Sequence, residues 1–325
     1  MPTAIVATPV DFEAYGDYGA KMTRPKGPAF ERPPYPFRGR IGSAEFPAEA
    51  GRYHVYASYA CPWAHRSLIV RALKGLEEAV SVGIVDPVRD GRGWAFREGP
   101  GHGPDAVGRF ATLREVYEAT EPGYDGHVSV PVLWDKRERR IVSNNFPDIT
   151  LDLNARFDAW ARNDIDLYPA DLRTEIDALN DLVYATVNNG VYKCGFAPTQ
   201  EAYEEAVAAV FHTLDELEER LSRRRYLTGE RITEADVRLW VTLARFDPVY
   251  STHFKVNLRR LVDYPNLWGY TRDLYLLPAF RDTTDFGHIK RHYYTTHAAL
   301  NPKRIVPVGP VLDFDAPHDR ARLSA

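Results

Sequence analysis

Tyr53-His54-Val55-Tyr56-Ala57-Ser58-Tyr59-Ala60-Cys61-Pro62-Trp63-Ala64-His65-Arg66-Ser67-Leu68-Ile69-Val70-Arg71-Ala72-Leu73 decides how this chain is read. Residues 53–58 are rich in β-branched and aromatic side chains and read as a strand. Residues 67–73 read as a helix. Between them Pro62 takes the first helical position, where a missing N–H costs nothing. Cys61 then faces the positive end of the helix dipole, a placement that favours the thiolate. A thiolate on an exposed strand-to-helix turn is a redox or transfer nucleophile. The alternative is a buried structural cysteine, which behaves as a small apolar residue.

Outward from this turn the pattern continues as strand, helix, strand. Val80-Ser81-Val82-Gly83-Ile84-Val85 is the second strand, stopped by Asp86-Pro87. A glycine-rich stretch from Arg89 to Pro104 follows. Loops of that length inside a domain are functional or disordered, and Trp94 and Phe96 favour an ordered, functional one. Ala111–Tyr117 reads as a short helix. Residues 128–135 and 140–143 read as a strand pair joined by a charged turn. Further on the period becomes helical. Ala202, Ala206, Val210, Leu214, Leu217 and Leu221 form one apolar stripe. Thr233 and Asp236 form a variant capping box that opens an apolar helix at Val237. Other helices are expected near 155–166, 171–189 and 265–276. The Gly- and Pro-rich first 50 residues, with Arg24-Pro25-Lys26-Gly27-Pro28 and Arg32-Pro33-Pro34-Tyr35-Pro36, read as an extended arm on the body. Asn301-Pro302-Lys303-Arg304-Ile305-Val306-Pro307 reads as an extended tail.

The chain has 325 residues, 44% of them hydrophobic and 26% charged, as in globular proteins of about two domains. A net charge of −4 implies no nucleic-acid or anionic-membrane partner. No apolar run is long enough to span a bilayer, and the first residues lack the pattern of a secretory signal. Two cysteines, Cys61 and Cys194, are too few for a disulfide scaffold, which points to a reducing cytoplasm. Arginine outnumbers lysine 33 to 8, a bias of GC-rich coding sequence that also favours anion recognition. His253, His288, His292 and His297 show no compact metal-ligand spacing and read as packing or substrate-site residues. His65 and Arg66 are positive charges near the helix start or solvated helix residues.

The order βαβ, insert, ββ, helix resembles a thioredoxin-type unit. Followed by an all-helical half, it resembles a cytosolic glutathione transferase: an α/β thioredoxin-like N-terminal domain plus an all-α C-terminal domain. The implied division is an arm at 1–50, the thioredoxin-like domain at 51–152, the helical domain at 153–300 and a tail at 301–325. Cys61-Pro62-Trp63-Ala64-His65-Arg66 resembles the active-site motif of the Xi class, the glutathionyl-hydroquinone reductases. So do Val130-Pro131-Val132-Leu133-Trp134-Asp135, Asn189-Gly190-Val191-Tyr192-Lys193, Arg245-Phe246-Asp247-Pro248-Val249-Tyr250, His288-Ile289-Lys290-Arg291-His292-Tyr293-Tyr294 and residues 301–307.

The resemblance implies a cytoplasmic homodimer with its site in the cleft between the halves, and a two-thiol reduction. Cys61 attacks the sulfur of a thiol-conjugated hydroquinone, and a second thiol resolves the mixed disulfide. The Cys-x-x-Ala motif has no resolving cysteine, so an external thiol is needed. Pro131 is expected to be cis, which would let the backbone at Val130 pair with the cofactor's cysteinyl backbone. Tyr192 and either Tyr293 or Tyr294 resemble the quinol-site tyrosines, whose phenols can shuttle a proton. Trp94 resembles the loop tryptophan that packs over the thiol cofactor.

Two positions depart from the class. Its Asn-Glu-Ser run, which holds the γ-glutamyl head of glutathione, is here Asn144-Asn145-Phe146, and its Gly-Arg is Gly126-His127. An amide and a benzyl group cannot pair with an ammonium and a carboxylate. Losing each charged contact costs about 1–3 kcal/mol. The expected co-substrate is therefore glutathione or another small thiol such as mycothiol, whose sugar and inositol could pack on Phe146 and bond Asn145 or His127. No metal is expected. Cys194 reads as a small apolar residue or as an internal resolving thiol. A non-catalytic binding protein of the same fold and a conventional conjugating transferase remain the alternatives.

Overall fold

The computed structural model describes residues 5–18 and 32–324; the arm motif at 24–28 lies outside them. In chain order the elements are α1 (Phe12–Tyr15), β1 (Tyr53–Ala57), α2 (Pro62–Lys74), β2 (Val80–Ile84), α3 (Leu113–Thr120), β3 (Val132–Asp135), β4 (Arg140–Ser143) and α4 (Phe146–Ala155). There follow α5 (Arg173–Val183), α6 (Gly190–Gly195), α7 (Gln200–Leu221), α8 (Glu234–Arg245), α9 (Ser251–His253), α10 (Pro265–Tyr275), α11 (Pro278–Arg281) and α12 (Phe286–Thr296). The chain divides into two compact units. The first holds residues 1–22, 33–165 and 283–306; the second holds 23–32, 166–282 and 307–325.

In the first unit a four-stranded sheet runs β2-β1-β3-β4. The β1 and β2 strands are parallel, with Val55 opposite Val82. The β1/β3 and β3/β4 pairs are antiparallel. This is the thioredoxin-type arrangement. All five residues of β1 are buried, as a strand covered on both faces must be, and α2 packs on α4 and on β1. The β3 strand is shorter than residues 128–135 suggest. Pro131 has no N–H to give a ladder, and the carbonyl of Val130 faces the Cys61 thiol instead. The helix expected at 155–166 is absent but for a 3-10 turn at Asp158–Trp160; α4 precedes it and stops at Ala155. Beyond it the N–H groups of Arg162 and Asn163 bond the carbonyl of Lys74 at the end of α2, which keeps the chain extended.

The arm is tied to this unit. Gly39 N–H donates to Val142 O at 2.8 Å, Arg40 pairs with Asp152 at 2.7 Å, and Ile41 N–H bonds the same carboxylate at 2.8 Å. The final helix α12 also belongs to the first unit, although it follows the helical stretch in sequence.

Among the described residues, the regular elements of the second unit are all helices. The stripe on α7 is buried from Ala206 through Leu221, with Ala202 partly covered. The α7 helix packs on α6 and α10, and α5 packs on α8. Thr199 caps α7 through the Ala202 N–H at 3.2 Å. The Thr233–Asp236 cap forms as expected, Thr233 N–H donating to Asp236 Oδ2 at 2.8 Å. The 171–189 segment is α5 continued by a π-turn at Tyr184–Asn188. No helix of the described residues is long and apolar enough to cross a membrane.

Candidate active site

Cys61 sits at the N-cap of α2 with an extended backbone, and Pro62 is the first helical residue. Its side chain makes no capping bond and is partly exposed. The turn before it is braced by Ser58, whose carbonyl accepts from Cys61 N–H at 3.1 Å and whose Oγ accepts from Ala60 N–H at 3.2 Å. The Cys61 thiol reaches the carbonyl oxygen of Val130 at 3.6 Å. The Val130–Pro131 bond is cis. Tyr117 on α3 fixes this segment: its hydroxyl donates to Ser129 O at 2.8 Å and accepts from Ser129 N–H and from Asn144 Nδ2, both at 3.2 Å. Burial pushes the Tyr117 phenol up to about 12. Asn144 Oδ1 in turn accepts from Phe37 N–H of the arm at 3.2 Å. The first unit therefore brings Cys61, Val130 and Pro131 together on one braced framework.

Asn145 is the N-cap residue of α4, buried and making no side-chain cap bond; its N–H donates to Ser143 Oγ at 3.1 Å. Phe146, only 3% exposed, does not present an open ring face. It packs against Trp63 at 5.0 Å and Tyr35 at 6.0 Å between ring centroids. The Arg66 guanidinium lies 4.7 Å from the Phe146 ring and 4.6 Å from that of Trp63. His65 and Arg66 are fully buried, so the solvated reading of this pair is corrected. Their side of α2 turns inward, and His65 Nε2 lies 3.1 Å from Thr283 Oγ1. His127 is half-exposed, and its carbonyl accepts from Tyr124 Oη at 3.1 Å.

Trp94 is buried within the first unit. Its ring stacks on His292 at 5.0 Å, with Arg89 over it at 4.1 Å. Tyr293 and Tyr294 are buried on α12, Tyr293 beside the rings of His292 and His297. Tyr192 belongs to the second unit, on α6. It sits in an aromatic cluster with Tyr250 and Phe254, and Arg32 lies 4.5 Å over its ring. Arg32 Nε donates to Asn189 Oδ1 at 2.7 Å. Cys194, also on α6, is 4% exposed, and burial pushes its thiol up to about 12. Sequence reasoning did not reach Arg32, Tyr35 or the inward turn of Arg66. Only the aromatic density around them hinted at packing.

Residues 60–156 match the family of the glutathione S-transferase N-terminal domain, and residues 200–273 that of the C-terminal domain. The glutathionyl-hydroquinone reductase YqjG of Escherichia coli strain K12 is 48% identical over 308 residues, 92% of this chain and 94% of that protein. The glutathionyl-hydroquinone reductase PcpF of Sphingobium chlorophenolicum is 50% identical over 288 residues, 89% and 92% of the two chains. The crystal structure of the Xi glutathione transferase of Phanerochaete chrysosporium superposes with a TM-score of 0.87 at 48% identity, covering 90% of this chain and 96% of that one. The chain belongs to the Xi-class glutathione transferases. In this Xi-class chain the Cys61-Pro62 turn and the cis Val130–Pro131 bond lie together, while the Asn145-Phe146 and His127 positions carry the departures described above.

Proposed function

We propose that the protein is a thiol-dependent reductase of the glutathionyl-hydroquinone reductase type. The Cys61 thiolate attacks the sulfur of a thioether-linked hydroquinone. The S–S bond of a mixed disulfide forms, the sulfur–carbon bond breaks, and the ring carbon gains a proton. A second thiol then attacks the mixed disulfide, releasing Cys61 and a symmetrical disulfide. The two thiols are oxidised by two electrons, and the aromatic carbon is reduced by two. Tyr192 and one of Tyr293 and Tyr294 handle the proton. Assembly as a homodimer is carried over from the resemblance.

The observation that carries the reading is the Cys61 thiol, uncommitted to capping, 3.6 Å from the Val130 carbonyl next to Pro131. The backbone that would pair with a cysteinyl cofactor thus lies beside the nucleophile.

The thiol is proposed to lack a γ-glutamyl head, mycothiol being the leading candidate. Phe146 stands where the serine's hydroxyl would bond a carboxylate, and its ring is packed between Trp63, Tyr35 and Arg66. Its role is therefore to fill that place, rather than to serve as an open stacking platform.

One experiment tests both parts: glutathionyl- and mycothiyl-hydroquinone are each offered to the wild type, to Cys61→Ser and to a paired N145E/F146S variant. Hydroquinone release is followed by chromatography and the Cys61 adduct by intact mass. Turnover with mycothiol, none in Cys61→Ser, and a gain of about tenfold or more with glutathione in the paired variant are expected, since two charged contacts return. Turnover persisting in Cys61→Ser overturns the reductase reading. Saturable, faster turnover of the wild type with glutathione than with mycothiol overturns the thiol assignment.

A further inference from the structure

The helix that carries Tyr293 and Tyr294 is fastened by two histidines one turn apart. His288 is fully buried. Its Nε2 lies 2.7 Å from the carbonyl oxygen of Pro100. A carbonyl only accepts, so that nitrogen carries the hydrogen. The opposite nitrogen, Nδ1, is buried with no hydrogen-bond partner among the described residues, which agrees with a neutral ring. Four residues on, His292 is 6% exposed and uses its other nitrogen: Nδ1 lies 2.7 Å from the carbonyl of Pro87. Its Nε2 faces Arg89 Nη2 at 3.5 Å, a donor that requires a lone pair there. The two rings are thus neutral and of opposite tautomer.

Pro87 and Pro100 bracket the loop that carries Trp94, and the His292 ring is stacked on that tryptophan, 16° from parallel. The His288 ring meets His102 of the same loop at 5.5 Å and Tyr59 at 5.6 Å. Tyr59 lies in the turn that presents Cys61, two residues before it. One helix face therefore touches both ends of the loop, its tryptophan and the nucleophile's turn.

We infer that His288 and His292 are positioning residues, a two-point clasp that fixes Tyr293 and Tyr294 relative to the 86–104 loop and the Cys61 turn. Its catalytic consequence rests on the reductase reading above; the clasp itself does not. Neither ring touches the reacting atoms in this account. Each acts chiefly through one N–H to one carbonyl at 2.7 Å, with the Asp285 carboxylate farther off at 3.5 Å from His288 Nε2 and Thr296 Oγ1 at 3.4 Å from His292 Nδ1. Each such bond contributes modestly alone, but two of them applied at both ends of a loop remove its freedom to shift.

The opposite tautomers give a crossed test. A glutamine amide nitrogen sits where the histidine Nε2 sits, and an asparagine amide nitrogen where Nδ1 sits. His288→Gln and His292→Asn should keep the bonds, whereas His288→Asn and His292→Gln should lose them. Hydrogen exchange of the amides of 88–104 is read in all four, together with kcat for hydroquinone release and the rate of Cys61 alkylation. The two mismatched variants are expected to speed loop exchange and lower kcat at least tenfold, with alkylation within threefold of wild type. The matched variants should stay within threefold in every readout. His292→Phe, which keeps the stack on Trp94 but not the bond, should behave as a mismatched variant if His292→Gln fails to fold. Equal behaviour of Asn and Gln at both positions, or unchanged loop exchange in the mismatched variants, overturns the clasp. Wild-type protein without reductase turnover would sink the reductase reading alone, because the exchange pattern is measured without substrate.

Discussion

The two cysteines show what placement does to one functional group. Cys61 is partly exposed at a helix start. Cys194 is buried on α6, where loss of solvent pushes its thiol up to about 12. Only a thiolate reacts appreciably with an alkylating agent. At pH 8 iodoacetamide should therefore add once to the folded protein, at Cys61, and a second time only after denaturation, as read by peptide mass. Cys194→Ala should leave hydroquinone release unchanged; a large loss would revive the resolving-thiol reading. Cys61 was legible from its neighbours because Pro62 can occupy few places other than the first helical turn. Phe146 was legible as a departure but not as a packed ring. Its partners Tyr35, Trp63 and Arg66 come from the arm and from α2, and no local pattern announces that three separate segments meet.

At the scale of elements, local chemistry predicted well where a cap or a stripe set the structure and poorly where tertiary contacts did. The α7 stripe and the Thr233–Asp236 cap needed no partner to be seen. The helix expected near 155–166 is absent but for a 3-10 turn at Asp158–Trp160, and the helix at 146–155 goes unannounced because its starting signal is Pro147 alone. The α12 helix shows in the sequence only as a motif, since its histidines face carbonyls contributed by residues 188 and 205 positions earlier, outside any window of periodicity. The cap on α8 gives a quantitative check. Asp236 accepts from Thr233 N–H at 2.8 Å, Thr233 Oγ at 3.0 Å, Leu227 N–H at 2.9 Å and Tyr270 Oη at 2.9 Å. Thr233→Ala removes one of these bonds and should cost about 1 kcal/mol. Asp236→Ala strands several buried donors at once and should cost about 3 kcal/mol or more. Urea melts of the two variants check the ratio; equal losses would mean that the carboxylate's other bonds carry little.

Across the whole molecule the same burial that builds each unit also stores a sensitivity to acid. His54, on β1 of the first unit, is held to about 4 by burial; nearby Asp105 opposes the shift, while Lys136 and Arg71 add to it. His253, in the second unit, is likewise held to about 4 by burial, with a smaller push from Lys255. An unfolded histidine titrates near 6.5. Between pH 6.5 and 4 the unfolded chain thus binds a proton that the native ring refuses, and stability falls as pH falls. Above pH 7 both states are neutral and the histidines contribute no slope. Each should remove about 3 kcal/mol by pH 4. Buried carboxylates respond oppositely: Asp236 and Asp247 are raised by burial, so acid protonates them more readily in the native state and partly offsets the loss. The histidine contribution is therefore read as a difference. His54→Asn, whose amide nitrogen can replace Nδ1 toward Ser81 Oγ at 2.8 Å, should show a shallower decline of stability than wild type between pH 6.5 and 4.5. The two curves should run parallel from pH 7 to 8. Curves parallel through the acid range as well would mean that His54 accepts its proton in the folded state as readily as in water, and that the sheet around it is open enough to solvate the charge.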